Sequence, residues 1–206
     1  MPSLRIVGRS SSSFTRIVRI FAAEFGVPYE LRVVRDLLSM KREDYGGNPA
    51  LKLPVLEDRS GAWFGALNIC RQLSLASERA LSVVWPEALS SPLLANAQEL
   101  TNHALASEVS LVMSTLGGAQ GGPHQNKLRQ SLLNVLAWLE QNVSAVRAEL
   151  PAERDLSYLE VALFCLVTHL DFRDVLPLAP YPELTEFCRT FAERPSARAT
   201  PYQFDS

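Results

Sequence analysis

The sequence predicts two parts of different class, a small α/β unit followed by an all-helical bundle. Three observations predict this. Short apolar strand-like runs flank one amphipathic stretch at the start of the chain. Strand signals vanish beyond Ser77, and apolar residues then recur at helical spacing to the end. Trp85-Pro86 and Ser90-Ser91-Pro92 mark a linker between the two regimes.

Leu4–Val7 reads as a short strand closed by Gly8 and a run of four serines. Phe14, Ile17, Val18, Phe21 and Phe25 then repeat every three or four residues, and Gly26 stops that helix. Pro28 and Tyr29 lead into a second strand, Leu31–Val34. A polar, irregular stretch follows to Pro54. Val55–Asp58 and Ala62–Phe64 flank the turn Arg59-Ser60-Gly61 and predict a β-hairpin. A helix from about Ala66 to Leu75 completes a β-α-β-loop-β-β-α order, with the unit bounded at residues 1–78.

Residues 88–206 form the predicted helical domain. Ala95–Leu116 is one long helical stretch. The segment from Gly117 to His124 is a Gly-rich loop, with Pro123 near the next helix start. Leu128, Leu132, Val135, Leu136, Leu139, Val143 and Val146 form an apolar stripe along that helix. Ser157–Leu170 is apolar on nearly every side, which predicts the centre of a bundle. Ser157 and Glu160 have capping-box spacing at its start. A last helix runs from about Pro182 to Glu193, ended by Arg194-Pro195.

Composition narrows the function classes. With 47% hydrophobic and 20% charged residues, the chain is expected to fold rather than stay disordered. A net charge of −2 carries no electrostatic footprint for nucleic acid or an anionic membrane. Cys70, Cys165 and Cys188 are odd in number and widely spaced, and each lies in an apolar stretch, so buried reduced thiols are expected. His103, His124 and His169 are equally dispersed, so no metal site is expected. The start of the chain lacks the apolar segment of a signal peptide, and no apolar run is long enough to cross a bilayer. A cytoplasmic protein is expected. Seventeen Arg against three Lys suggest GC-rich bacterial coding.

Three stretches carry a resemblance to a known family. Asn48-Pro49-Ala50-Leu51-Lys52-Leu53-Pro54-Val55-Leu56 is similar to an N-P-x-x-K-x-P-x-L signature whose second proline is cis. Ser12-Ser13-Phe14-Thr15-Arg16, after the first strand, is similar to an S/C-P-F-x-R start of helix 1, with Ser13 in place of proline. Ser157-Tyr158-Leu159-Glu160 sits where an S-x-x-D capping box belongs, and Glu193-Arg194-Pro195-Ser196 with Thr200-Pro201 also fits. The chain resembles the glutathione transferase superfamily, in the manner of a cytosolic, bacterial, serine-type member.

That resemblance implies a thioredoxin-like N-terminal domain, an all-helical C-terminal bundle and a homodimer. Arg71, Gln72 and the Trp63-Phe64 hairpin are then expected at the dimer interface. It implies glutathione as substrate, conjugated to small electrophiles. Ser12 is the implied catalytic donor to the thiol, with Ser11 or Ser13 as alternatives. Leu53, preceding Pro54, is then expected to pair with the peptide of glutathione. Ser13, Leu53, Pro54, Gly65 and Ala66 form the implied glutathione-binding set. The family carries Glu-Ser where this chain has Gly65-Ala66, which leaves only backbone amides at that helix start to hold a carboxylate. Asn102, His103 and Glu108 lie on the first bundle helix, where a hydrophobic co-substrate is implied, although polar residues on such a helix ordinarily face solvent. The loss at Gly65-Ala66 keeps an alternative open, a non-catalytic binding or assembly module of the same fold.

Overall fold

The computed structural model describes residues 4–119 and 121–205. The predicted boundaries also take in residues 1–3, Gln120 and Ser206, which lie outside the described residues. The chain divides into two compact units. One holds the residues up to Ala80 together with those from Glu193 onward, the other Leu81–Ala192. The closing segment, expected with the helical domain, therefore groups with the first unit.

In the first unit β1 (Leu4–Gly8) leads into α1 (Ser13–Phe25) and β2 (Tyr29–Val33). The hairpin β3 (Val55–Asp58) and β4 (Gly61–Phe64) is followed by α2 (Ala66–Ala76). The sheet order is β2-β1-β3-β4. β1 runs parallel to β2, with Ile6 opposite Leu31, and antiparallel to β3, with Ile6 opposite Leu56. The parallel pair is joined by α1, as a crossover requires. Ile6, Ile17, Ile20, Phe21, Ile69 and Leu73 are fully buried and fill this unit's core. A second cluster, Val7, Val34, Tyr45 and Val55, packs with Leu37, Leu51 and Leu53.

The irregular stretch before Pro54 is more ordered than its composition predicts. It contains a one-turn 3-10 helix, Arg42–Tyr45. Tyr45 anchors it, with its side chain 2% exposed and its hydroxyl donating to the Leu37 carbonyl at 2.8 Å.

The second unit contains α3 (Pro92–Leu116), α4 (Pro123–Glu149), α5 (Tyr158–Phe172) and α6 (Pro182–Phe191). The buried α4 positions are Leu132, Val135, Leu136, Leu139, Val143 and Val146, the stripe expected from spacing. α5 is buried on all sides, from Tyr158 through Leu170 with only Glu160 and Thr168 partly exposed. Two elements depart from the all-helical expectation. β5 (Val83–Val84) pairs in parallel with β6 (Leu156–Ser157), tying the start of this unit to the entrance of α5. His124, expected in the Gly-rich loop, lies on the first turn of α4 instead.

The capping box expected at α5 does not form. Ser157 is the N-cap residue, but its hydroxyl is buried without a hydrogen-bond partner. Glu160 turns to Arg154 in a two-pronged pair, at 2.8 Å to Nε and 2.7 Å to Nη2. A guanidinium within reach outcompetes a single backbone amide for the carboxylate.

After α6 the chain returns to the first unit through α7 (Pro195–Arg198). Glu24 of α1 accepts from Arg194 Nε at 2.8 Å and from the Ser196 hydroxyl at 2.6 Å. Arg16, also on α1 and 6% exposed, donates to the Ala197 carbonyl at 3.4 Å and stacks 4.3 Å above the Tyr202 ring.

Candidate functional site

The turn between β1 and α1 presents the serines. Gly8 allows that turn to sit close to α1, because a Cβ there would lie 2.6 Å from both Thr15 Cγ2 and Oγ1. The Thr15 hydroxyl in turn accepts from the Arg9 amide at 3.4 Å. The Ser12 amide donates to the Arg9 carbonyl at 3.2 Å, closing the turn.

Ser12 is the N-cap of α1, with φ −107° and ψ 127°. Its Oγ accepts from the Thr15 amide at 3.3 Å, and its carbonyl accepts from the Arg16 amide at 2.9 Å. Ser10, Ser11 and Ser13 are at most 2% exposed, so Ser12 alone of the four serines is not fully buried. A capping hydroxyl accepts through a lone pair and keeps its proton free to donate. Capping the helix and donating to an anion are therefore compatible roles for one oxygen, at the end where the helix dipole favours negative charge.

Ser13 is fully buried and its Oγ has no hydrogen-bond partner. Leu53 is half-buried, its side chain packed against the second hydrophobic cluster, and the Leu53–Pro54 bond is cis. The loop before it is braced by Asn48, 5% exposed, whose Nδ2 donates to the Lys52 carbonyl at 2.8 Å while Oδ1 accepts from the Ala50 amide at 3.0 Å. One side chain thus braces the Ala50–Lys52 segment ahead of the cis bond.

Gly65 is the N-cap of α2, at φ 84° and ψ 133°, and supplies no capping side chain. Its positive φ is one that glycine adopts at no steric cost. Ala66, 6% exposed, opens the helix. The Asn68 side chain reaches back to the Phe64 carbonyl at 3.1 Å.

The residues expected on α3 separate. His103 is exposed and faces Glu99 at 3.1 Å, one turn away. Glu108 was expected to face solvent and is instead fully buried, 2.7 Å from His169. Sequence spacing on α3 alone could not identify it; the signal is a second polar residue, His169, on an otherwise apolar helix. A depression of about 400 Å³ on the second unit, lined by Leu100, Val135 and Trp138 among others, includes none of the expected site residues. The three cysteines are buried, and among the described residues none is in a disulfide. Among the described residues no group of three or more His, Cys, Asp or Glu is placed to hold a metal, and no helix is long and apolar enough to cross a membrane.

One neighbour of the serine turn escaped sequence reasoning. The Ser10 amide donates to the Asp205 carboxylate at 2.8 Å, a partner 195 residues away. Sequence resemblance flags the closing Glu-Arg-Pro-Ser segment but attaches no role to it.

Comparison with known proteins gives a family match for the first unit and a likeness of fold for the whole chain. Residues 11–74 match the family model described as glutathione S-transferase, N-terminal domain. The structure is similar to a glutathione S-transferase from Methylobacillus flagellatus KT with glutathione bound, at TM-score 0.76 and 20% identity, covering 98% of this chain and 100% of that one. A glutathione transferase family member from Pseudomonas fluorescens Pf-5, with bound glutathione, matches at TM-score 0.77 and 20% identity over 98% and 100%. One from Methylobacterium radiotolerans, in complex with glutathione sulfonate, matches at 0.73 and 21% over 98% and 97%. The sequence matches no curated protein.

Proposed function

Taking the chain as a member of the glutathione S-transferase superfamily, with the thioredoxin-like sheet and helical bundle of that fold, we propose that it binds glutathione at the β1–α1 turn and conjugates it to small electrophiles. The observation that carries this reading is Ser12, the one serine of the turn not fully buried, standing at the N-terminus of α1 with its proton free. Its hydroxyl donates to the glutathione sulfur. The residues around it act by positioning: Gly8 and Thr15 hold the turn, Ser13 starts the helix, and Leu53 pairs with the peptide of the ligand through its backbone. The amides at Gly65 and Ala66 take the ligand carboxylate at the start of α2.

A cysteinyl thiol ionises near pKa ~8.5 and must be a thiolate to attack. A hydrogen bond to the anion is worth about 1.5–3 kcal/mol, which lowers that value by about one to two pKa units. The positive end of α1 contributes a further ~0.3–1 kcal/mol. Ser12 and the helix together account for a thiolate at neutral pH. The electrophile is a small molecule, and the working assembly is a homodimer with Arg71, Gln72 and the Trp63-Phe64 hairpin at its interface; the half-exposed Phe64 supports that placement. His103 is the polar contact proposed for the electrophile. The protein acts in the cytoplasm.

A second reading has its own support. Gly65 offers no capping side chain where the family carries one, which favours a non-catalytic module of the same fold that has lost strong glutathione binding. Calorimetric titration with glutathione, in wild type and Ser12→Ala, combined with a thiol-conjugation assay, separates the two. Binding at millimolar glutathione with turnover that falls at least about tenfold in Ser12→Ala is expected. Absence of binding leaves the second reading; turnover indifferent to Ser12→Ala removes Ser12 from the site.

A further inference from the structure

The segment after α6 runs along α1 as a strap with three fastenings. Glu24 holds Arg194 and Ser196, Arg16 holds Ala197 and Tyr202, and the Ser10 amide holds Asp205. The order along the strap matches the order back along α1, from its last turns to the turn before its first. The third fastening is the one that touches the candidate site. The Asp205 carboxylate is 8% exposed, accepts from the Ser10 amide at 2.8 Å and stands 3.9 Å from Arg9 Nε. Arg9 itself donates through Nη1 to the Arg35 carbonyl at 3.0 Å, beyond the end of β2. Ser10 is only two residues ahead of Ser12.

We propose that Asp205 is a positioning residue, a clasp that fixes the Arg9–Ser12 turn so that the Ser12 hydroxyl is held toward its ligand. The proposal rests on the glutathione reading for the ligand, but the ordering of the turn stands apart from it. Ser10 is buried in the turn, and among the described residues its amide has no strand or helix partner of its own. Without the carboxylate the amide is left unsatisfied, and a buried N–H without an acceptor drives the backbone to move or admit water. Arg16 fits the same device. It is the arginine of the Ser12-Ser13-Phe14-Thr15-Arg16 stretch, and it grips the strap from the same turn of α1 that Ser12 caps.

Three forms of the full chain test this: wild type, Asp205→Ala and Asp205→Asn, the last retaining a carbonyl acceptor for the Ser10 amide. Hydrogen exchange at the Ser10 amide is expected to quicken about tenfold or more in Asp205→Ala and to stay near wild type in Asp205→Asn. Exchange in α5 serves as the folding control and is expected to be unchanged. Bound glutathione, followed by its thiolate absorbance against pH, is expected to show a thiol that ionises at higher pH in Asp205→Ala, with recovery in Asp205→Asn. Unchanged Ser10 exchange in Asp205→Ala overturns the clasp, as does faster exchange with an unmoved thiol titration. If wild type binds no glutathione, the glutathione reading fails, and the exchange measurement still decides whether Asp205 orders the turn.

Discussion

The carboxylate of Glu108 lies 2.7 Å from Nδ1 of His169, with Glu108 fully buried and His169 2% exposed. Arg173 Nε stands 3.5 Å from the other ring nitrogen. The second oxygen of Glu108 has no hydrogen-bond partner. An ionisable chain this deep is tolerated because it is hydrogen-bonded to its partner from α5.

Burial pushes the Glu108 carboxyl above its usual range, and the hydrogen bond from His169 and the charges of His169 and Arg173 only partly oppose it. The folded state therefore holds this proton more tightly than the unfolded chain does. Stability from this group is fully present below the ordinary carboxyl value, about 4.3, and is lost as pH rises through the raised folded value. Glu108→Gln keeps the shape and removes the titration. Urea unfolding of both proteins from about pH 4 to about pH 8 is expected to show the variant gaining on wild type as pH rises, a tenfold difference in proton affinity being worth about 1.4 kcal/mol. A constant difference across that range would show that Glu108 titrates alike in both states.

Glu160 and Ser157 make a second test. Ser157→Ala removes a buried hydroxyl that bonds to nothing, so its cost is expected to stay within about 0.5 kcal/mol. Glu160→Gln breaks the two-pronged bond to Arg154, whose side chain is 16% exposed, and is expected to cost about 1–2 kcal/mol. Denaturant midpoints of the two variants check the order. A loss near 1 kcal/mol in Ser157→Ala, the usual cost of losing an N-cap, would restore the capping box.

Gly8 and Thr15 are coupled through contact. Gly8→Ala puts a methyl 2.6 Å from the Thr15 side chain, which is short, branched and unable to swing clear. The expected cost is about 1–3 kcal/mol, as for overpacking generally. Thr15→Ala clears the space, so the double variant is expected to be more stable than the two single costs added together. Thermal unfolding of the four-member cycle measures the coupling; simple additivity would mean that α1 shifts away from β1 freely.

What the sequence shows of this protein, and what it conceals, follows from range. β1, α1, the β3–β4 hairpin and α5 are legible because their patterns repeat within a few residues. The turn at Ser12 and the Asn48–Leu56 stretch are legible as local motifs. β5 and β6 are two residues each, too short to show alternation, and they pair across more than seventy positions. Arg42–Tyr45 is a single helical turn inside a polar stretch, where no stripe can develop. Glu108 reads as a surface residue until His169, 61 positions later, is brought against it. Glu160 has the spacing of a cap, and only the nearness of Arg154 in space redirects it. The strap on α1 joins residues at opposite ends of the chain, which no local pattern records.

Gly65 and Ala66 test the ligand end of the site. At φ 84° the backbone at Gly65 disfavours any side chain, although the space around a Cβ there is open. Gly65→Glu is therefore expected to cost about 1–3 kcal/mol of stability from the backbone alone, without a packing clash. Ala66→Ser carries no such penalty, because Ala66 begins the helix at ordinary angles and serine is nearly its size. It places a hydroxyl at the positive end of α2, where a ligand carboxylate is proposed to sit. One hydrogen bond to that charge is worth about 1.5–3 kcal/mol, so the glutathione dissociation constant is expected to fall about ten- to a hundredfold in Ala66→Ser. Calorimetry on wild type and both variants gives the comparison. If Ala66→Ser folds as wild type does and binds glutathione no better, the carboxylate is not held at the start of α2, and the amides of that helix lose their assigned role.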